Sequence, residues 1–225
     1  MGQEFVGSFP VGSIMGFAKG VLLLDDCEGA CNWSVEGTDA GVAATNDTAA
    51  AFMGAKGLKV TSGATDPAEG DYVAAKFGMN RPETGLLVFR GKMRIPDLTK
   101  VGEISLGVHY FRGGIQYTTS IDFRPNTPIG YYRDAANAQI EVAAWNQIFV
   151  ATTWMAFELV IDTVIHKWIS ATLADVKMDL SAVSLYNAGA AAYDLVVLWL
   201  QHTTAGANAA LMYYDNLYAG EFLQL

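Results

Sequence analysis

Arg112-Gly113-Gly114-Ile115 stands between two stretches of alternating apolar and polar residues. Two consecutive glycines in that setting form a two-residue hairpin turn, because a residue without Cβ accepts the positive φ such turns require. Folding the chain there pairs Ile104 with Phe123, Leu106 with Ile121, Val108 with Thr119 and Tyr110 with Tyr117 on one face. The other face pairs Glu103 with Arg124, Ser105 with Asp122, Gly107 with Ser120 and His109 with Thr118. One face is largely apolar and the other polar, and a one-residue slip would mix them. Turn chemistry and side-chain pattern thus specify the same hairpin independently.

The same period extends along the chain. Strands are predicted at 20–25, 32–36, 41–46, 57–62, 71–79, 85–95, 103–112, 115–124, 139–144, 154–162, 164–173, 193–203 and 209–219, with one short helical piece at 48–54. Turn formers separate them, among them Gly63 to Gly70 and Pro125-Asn126-Thr127-Pro128. Many short strands at this spacing make an all-β, two-sheet antiparallel β-sandwich of the jelly-roll type. Leu195 to Leu200 is an unbroken apolar run, so both of its faces are expected to be covered. Residues 20–225 form the sandwich domain, and residues 1–19, apolar but aperiodic, form an extended N-terminal arm. That arm packs either on a neighbouring subunit or over its own domain. Its candidate contacts are Phe5, Phe9, Ile14 and Phe17.

Hydrophobic residues make up 52% of the chain and charged residues 16%, against an ordinary charged share of about 25%. Such a chain buries a large core, and the low charge suggests that some apolar surface meets another protein. The net charge of −9, from 14 basic and 23 acidic residues, argues against nucleic acid and anionic membranes, which need clustered Lys and Arg. No stretch approaches the roughly 20 apolar residues of a membrane span. The first 19 residues lack the basic and apolar regions of a signal peptide, so synthesis in a cytoplasm is expected. Cys27 and Cys31 have no partners for a zinc site. They form a local disulfide only if the turn lets their Cα atoms approach, and otherwise remain free thiols.

Residues for turnover are scarce. Glu158 and Asp162 lie four apart on one strand, which separates them by about 13 Å, too far for a retaining glycosidase pair. His109, His166 and His202 sit in no nucleophile motif and read as solvated or hydrogen-bonded side chains. The chain is therefore expected not to be an enzyme. Trp33, Trp145, Trp154, Trp168 and Trp199 read mainly as packing residues, with sugar stacking as the alternative. Asp25, Asp26 and Glu28 at one end, and Asp215 and Asn216 at the other, would offer calcium its hard oxygen ligands if the first and last strands adjoin; otherwise they cap strand ends.

Leu22-Leu23-Leu24-Asp25-Asp26-Cys27-Glu28 with Asn32-Trp33-Ser34-Val35 resembles the opening of carbohydrate-binding-module-like jelly rolls. Phe52 to Thr61 is similar to a following strand of that group, and Met212-Tyr213-Tyr214-Asp215-Asn216-Leu217 to its last strand. Trp154 to Asp162 and Asp179-Leu180-Ser181 look more like concanavalin A and laminin G sandwiches. The resemblance implies a structural calcium at Asp26, Glu28 and Asp215, though Cys27 stands where an aromatic is common. Domains with this opening also resemble structural proteins of tailed-bacteriophage virions.

The expectation drawn from this is a non-enzymatic virion protein that decorates a capsid. Its partners would be the major capsid protein or other virion subunits, bound as a homo-oligomer or on the lattice, and no cofactor would be required. A glycan-binding module or lectin is the alternative. A fold alone does not decide between them.

Overall fold

The structure is a computed structural model that describes residues 18–63, 68–80, 85–146, 149–191 and 195–222. Phe5, Phe9, Ile14 and Phe17 of the expected arm lie outside the described residues. The hairpin forms as expected. Strands β7 (Val101–Arg112) and β8 (Ile115–Arg124) pair in the predicted register, from Ile104↔Phe123 to Arg112↔Ile115. Gly113 and Gly114 take φ of 60° and 77°, the left-handed pair that a tight turn of this type demands.

The rest of the chain builds two antiparallel sheets of eight strands each. The first contains β1 (Ala18–Asp25), β3 (Ala43–Asp47), β4 (Gly57–Thr61), β6 (Leu86–Arg94), β11 (Trp154–Asp162), β12 (Lys167–Leu173), β13 (Val176–Asp179) and β16 (Leu211–Phe222). Their order is β13-β12-β11-β6-β16-β4-β3, with β1 also on β16. The second contains β2 (Ser34–Gly37), β5 (Tyr72–Asn80), β7, β8, β9 (Ile129–Arg133), β10 (Gln139–Glu141), β14 (Tyr186–Ala190) and β15 (Leu195–Thr204). Their order is β10-β9-β8-β7-β15-β5-β2, with β14 on β8. This is the expected jelly-roll sandwich.

Period-two patterning decides which side chains meet between the sheets. Leu58, Leu87, Phe89, Met93, Phe157 and Tyr214 of the first sheet face Ile104, Leu106, Tyr110, Ile121, Phe123, Leu198 and Leu200 of the second. All are buried, and each such apolar side chain contributes on the order of 1.5–3 kcal/mol. In the run from Leu195 to Leu200, Val196, Leu198 and Leu200 enter this core. On the opposite face Trp199 is covered, while Val197 stays partly exposed, so the expectation of two covered faces holds only at Trp199.

Strand β16 is shared end to end. Its Leu211–Tyr214 half pairs with β4 and its Leu217–Phe222 half with β1, across a bulge near Asp215 where Asn216 has φ of 50°. The first and last strands therefore adjoin. Three strands, β9, β13 and β14, were not predicted. The expected helical piece at 48–54 is a single 3-10 turn, Thr48–Ala50, capped by Asp47 through Ala49 N–H at 2.8 Å.

Candidate functional site

The polar face of the β7–β8 hairpin does not simply meet solvent. It forms the floor of a groove of about 430 Å³ on the outer face of the second sheet. Alternation sends Tyr72 and Lys76 of β5, Trp199 and Gln201 of β15, Ser105 and His109 of β7, and Thr118 and Ser120 of β8 to that side. Glu36 of β2, Arg133 of β9 and Asn137 beyond it complete the walls.

Asp122 anchors the floor. It is fully buried, and its oxygens accept from four groups: the hydroxyls of Ser105 at 2.7 Å and Ser120 at 2.8 Å, Arg133 Nε at 2.8 Å and Gln139 Nε2 at 3.0 Å. A buried charge persists only when paired and hydrogen-bonded in this way. Arg133 gives Nε to Asp122 and Nη1 to the Asn137 carbonyl at 3.2 Å. Arg133 also lines the groove.

His109 lies beside this network, against Trp199 with ring centroids 3.8 Å apart and planes tilted by 36°. Gln116 Nε2 sits 3.1 Å from His109 Nδ1, and the Thr118 hydroxyl lies against the same nitrogen. A ring nitrogen that faces an amide N–H is an acceptor, so the neutral imidazole carries its proton on Nε2. Burial, and next the Lys76 charge, bring the pKa of His109 down to about 4. Near neutral pH it is an uncharged N–H donor. Lys76 pairs with Glu36 at 2.5 Å on the groove rim. The groove thus gathers cationic and neutral donors, while its buried carboxylate is already saturated. That arrangement suits a ligand rich in oxygen acceptors.

Sequence reasoning found His109, Ser105, Ser120 and Asp122 on one polar face and read His109 as a solvated or hydrogen-bonded side chain. It singled out neither Arg133 nor Lys76. The available signal was Asp122 opposite Ser105, a carboxylate inside the paired ladder of the hairpin.

The other candidate residues lie at the β1–β16 junction. Asp215 accepts from Phe52 N–H at 2.7 Å, Met53 N–H at 2.9 Å and Asn216 N–H at 2.7 Å. Glu28 accepts from Ala55 N–H at 2.5 Å and Lys56 N–H at 3.0 Å. The two carboxylates hold the 52–56 loop from both sides. Asp25 accepts from Cys27 N–H and Trp33 Nε1–H, and Asp26 from Glu28 N–H. Burial raises the Asp215 pKa against those hydrogen bonds, and the Glu28 charge adds to the rise. Among the described residues no three His, Cys, Asp or Glu side chains converge on one point. Asp26, Glu28 and Asp215 are each engaged by backbone donors.

Cys27 and Cys31 are both free thiols, and burial raises the Cys27 pKa. Glu158 pairs with Arg90 at 3.8 Å, and Asp162 caps the following turn through Val164 and Ile165 N–H. His166 accepts from or donates to the Tyr110 hydroxyl at 2.5 Å, and His202 is buried in the interior. Trp33, Trp145 and Trp168 are core residues as expected.

No family model matches the sequence, and no curated protein matches it. Solved structures do match in fold. A cellulose induced protein, Cip1, aligns with a TM-score of 0.56 at 14% identity, over 88% of this chain and 96% of that one. An endo-β-1,4-glucuronan lyase from the fungus Trichoderma reesei aligns with a TM-score of 0.56 at 13% identity, over 90% and 95%. A carbohydrate-binding module of the β-sandwich superfamily aligns with a TM-score of 0.51 at 13% identity, over 92% of this chain and 62% of that one.

These likenesses establish the fold, and they correct one expectation. The chain was expected not to be an enzyme because it lacks a glycosidase carboxylate pair and a nucleophile motif. The glucuronan lyase shows that an enzyme can have a sandwich of this fold, and eliminative cleavage needs neither feature. The missing motifs therefore do not exclude turnover.

Proposed function

We propose that the groove on the second sheet is a binding site for a polysaccharide that carries carboxylate groups. The observation that supports this most is the Asp122–Arg133 pair. A fully buried carboxylate holds one guanidinium in place, in a groove that His109 and the Glu36-paired Lys76 also line. A planar guanidinium fork matches a sugar carboxylate, and the neutral donors match hydroxyls. The fold likeness to a carbohydrate-binding module and to a glucuronan lyase lends support. It favours a glycan over the capsid partner first expected, for which no residue of the groove argues.

Calorimetric titration with oligogalacturonate and with neutral cello-oligosaccharides tests this reading. The acidic ligand should bind, and Arg133→Ala should weaken it by about tenfold or more, the equivalent of one charge-assisted hydrogen bond. A folded protein that binds neither ligand would refute the site. The same mixtures, followed for the ultraviolet absorbance of an unsaturated uronate, report whether bound polymer is also cleaved.

A further inference from the structure

The outer face of the first sheet carries a second chemical pattern, on the opposite side of the sandwich from the groove. Arg90, Lys92 and Arg94 alternate along β6 and project together, about 6.6 Å apart. Aromatic rings lie among them. Arg94 stacks on Tyr213 at 4.6 Å and on Trp154 at 5.1 Å. Lys92 lies 5.3 Å from the Phe52 ring, and Phe52 meets Trp154 edge-on at 5.4 Å.

Charge on this row is poorly balanced. Glu158 answers Arg90, whereas Lys92 makes no ion pair among the described residues. Asp215, its cross-strand neighbour, is turned to the N–H groups of the 52–56 loop. Phe52 is 40% exposed and Trp154 partly so. A chain with net charge −9 therefore presents an aromatic-lined cationic strip.

We propose that this strip is a second binding surface, for a carboxylated polysaccharide lying across β6. The topology argues for a sugar over a peptide. β6 is interior, paired on both sides by β11 and β16, so an extended peptide would find no free backbone to hydrogen-bond. A sugar chain needs none. Its ring C–H faces pack on Phe52 and Trp154, and its carboxylates meet Lys92 and Arg94. This surface is independent of the groove.

Lysine acetylation of the full wild-type chain, mapped by mass spectrometry, reads both faces in one experiment. Lys92 reports the strip and Lys76 the groove. With polygalacturonate at about ten times its dissociation constant, acetylation of Lys92 should slow about tenfold, and neutral dextran should leave it unchanged. Arg133→Ala should abolish protection at Lys76 and leave it at Lys92, whereas Lys92→Gln with Arg94→Gln should do the reverse at Lys76. Equal labelling of Lys92 with and without polymer overturns the proposal. So does equal protection by polyglutamate, which would point to a peptide, or loss of Lys92 protection in Arg133→Ala. Failure of the groove alone would appear as unprotected Lys76 beside protected Lys92.

Discussion

Trp199 on β15 lies directly across the ladder from Gly107 on β7, and its indole occupies the space that a side chain at 107 would fill. A Cβ placed on Gly107 would fall 2.5 Å from Trp199 Cε2 and 2.6 Å from the Thr119 carbonyl oxygen. The indole lies over the bare backbone and supports the His109 ring. One glycine thus sets the height of the groove floor.

Gly107→Ala should consequently act on both stability and ligand. Trp199 or the β7 backbone must move, at a cost of about 1–3 kcal/mol for overpacking. His109 moves with its support, so acidic-glycan affinity should fall while the sandwich remains folded. Denaturant melts and calorimetric titration of the same variant separate the two effects.

Asp122→Ala should be among the most damaging single changes. It strips partners from Arg133, Ser105, Ser120 and Gln139 at once. Breaking a buried, hydrogen-bonded pair costs about 3–5 kcal/mol. Chemical denaturation measures the loss. Asp122→Asn retains acceptor oxygen for part of the network and should lose less.

Acid stability should reflect buried neutral histidines. Burial holds the His202 pKa at about 4, below its ordinary 6.5, and His109 shifts in the same sense. A depressed folded-state pKa means that the unfolded chain takes up protons first. The contribution is fully present above about pH 6.5 and is lost as pH falls toward 4, by about 3 kcal/mol for His202. Asp215, with its raised pKa, acts in the opposite sense, its contribution being lost as pH rises. Thermal melts between pH 7 and 4 should decline, and His202→Leu should flatten that decline. An unchanged slope in the variant would remove His202 as the cause.

The clasp on the 52–56 loop should yield before the sandwich does. Asp215→Ala leaves the N–H groups of Phe52 and Met53 without their acceptor, at a cost of about 1–3 kcal/mol. Limited proteolysis should then cut near Met53, which is 60% exposed, well before global unfolding. Glu28→Ala, acting on the more exposed half of the clasp, should give a weaker form of the same effect.

Local pattern foretold most of the strands because a side-chain period of two needs only one strand to be visible. The register of β7 on β8 was legible because Gly113-Gly114 fixes the turn and alternation fixes the faces. Strands β9, β13 and β14 escaped notice. Ile129-Gly130-Tyr131-Tyr132-Arg133 follows a Pro-rich turn and does not alternate cleanly, and the other two are short edge strands with exposed residues. β14 pairs with β8, far earlier in the sequence, whereas β9 and β13 return on the strands just before them.

The groove shows the same division most clearly. Alternation alone placed Ser105, Asp122 and His109 on one polar face of a hairpin, whereas the adjacency of first and last strands entered only as a condition. Whether that polar face met water or formed a lined cleft depended on other strands: Lys76 from β5 and Trp199 from β15, both remote in sequence, and Arg133 from β9, which follows β8 directly. A carboxylate's surroundings are a sum over everything that packs near it. A single strand encodes which way its side chains point, and only the closed sandwich decides what stands opposite them.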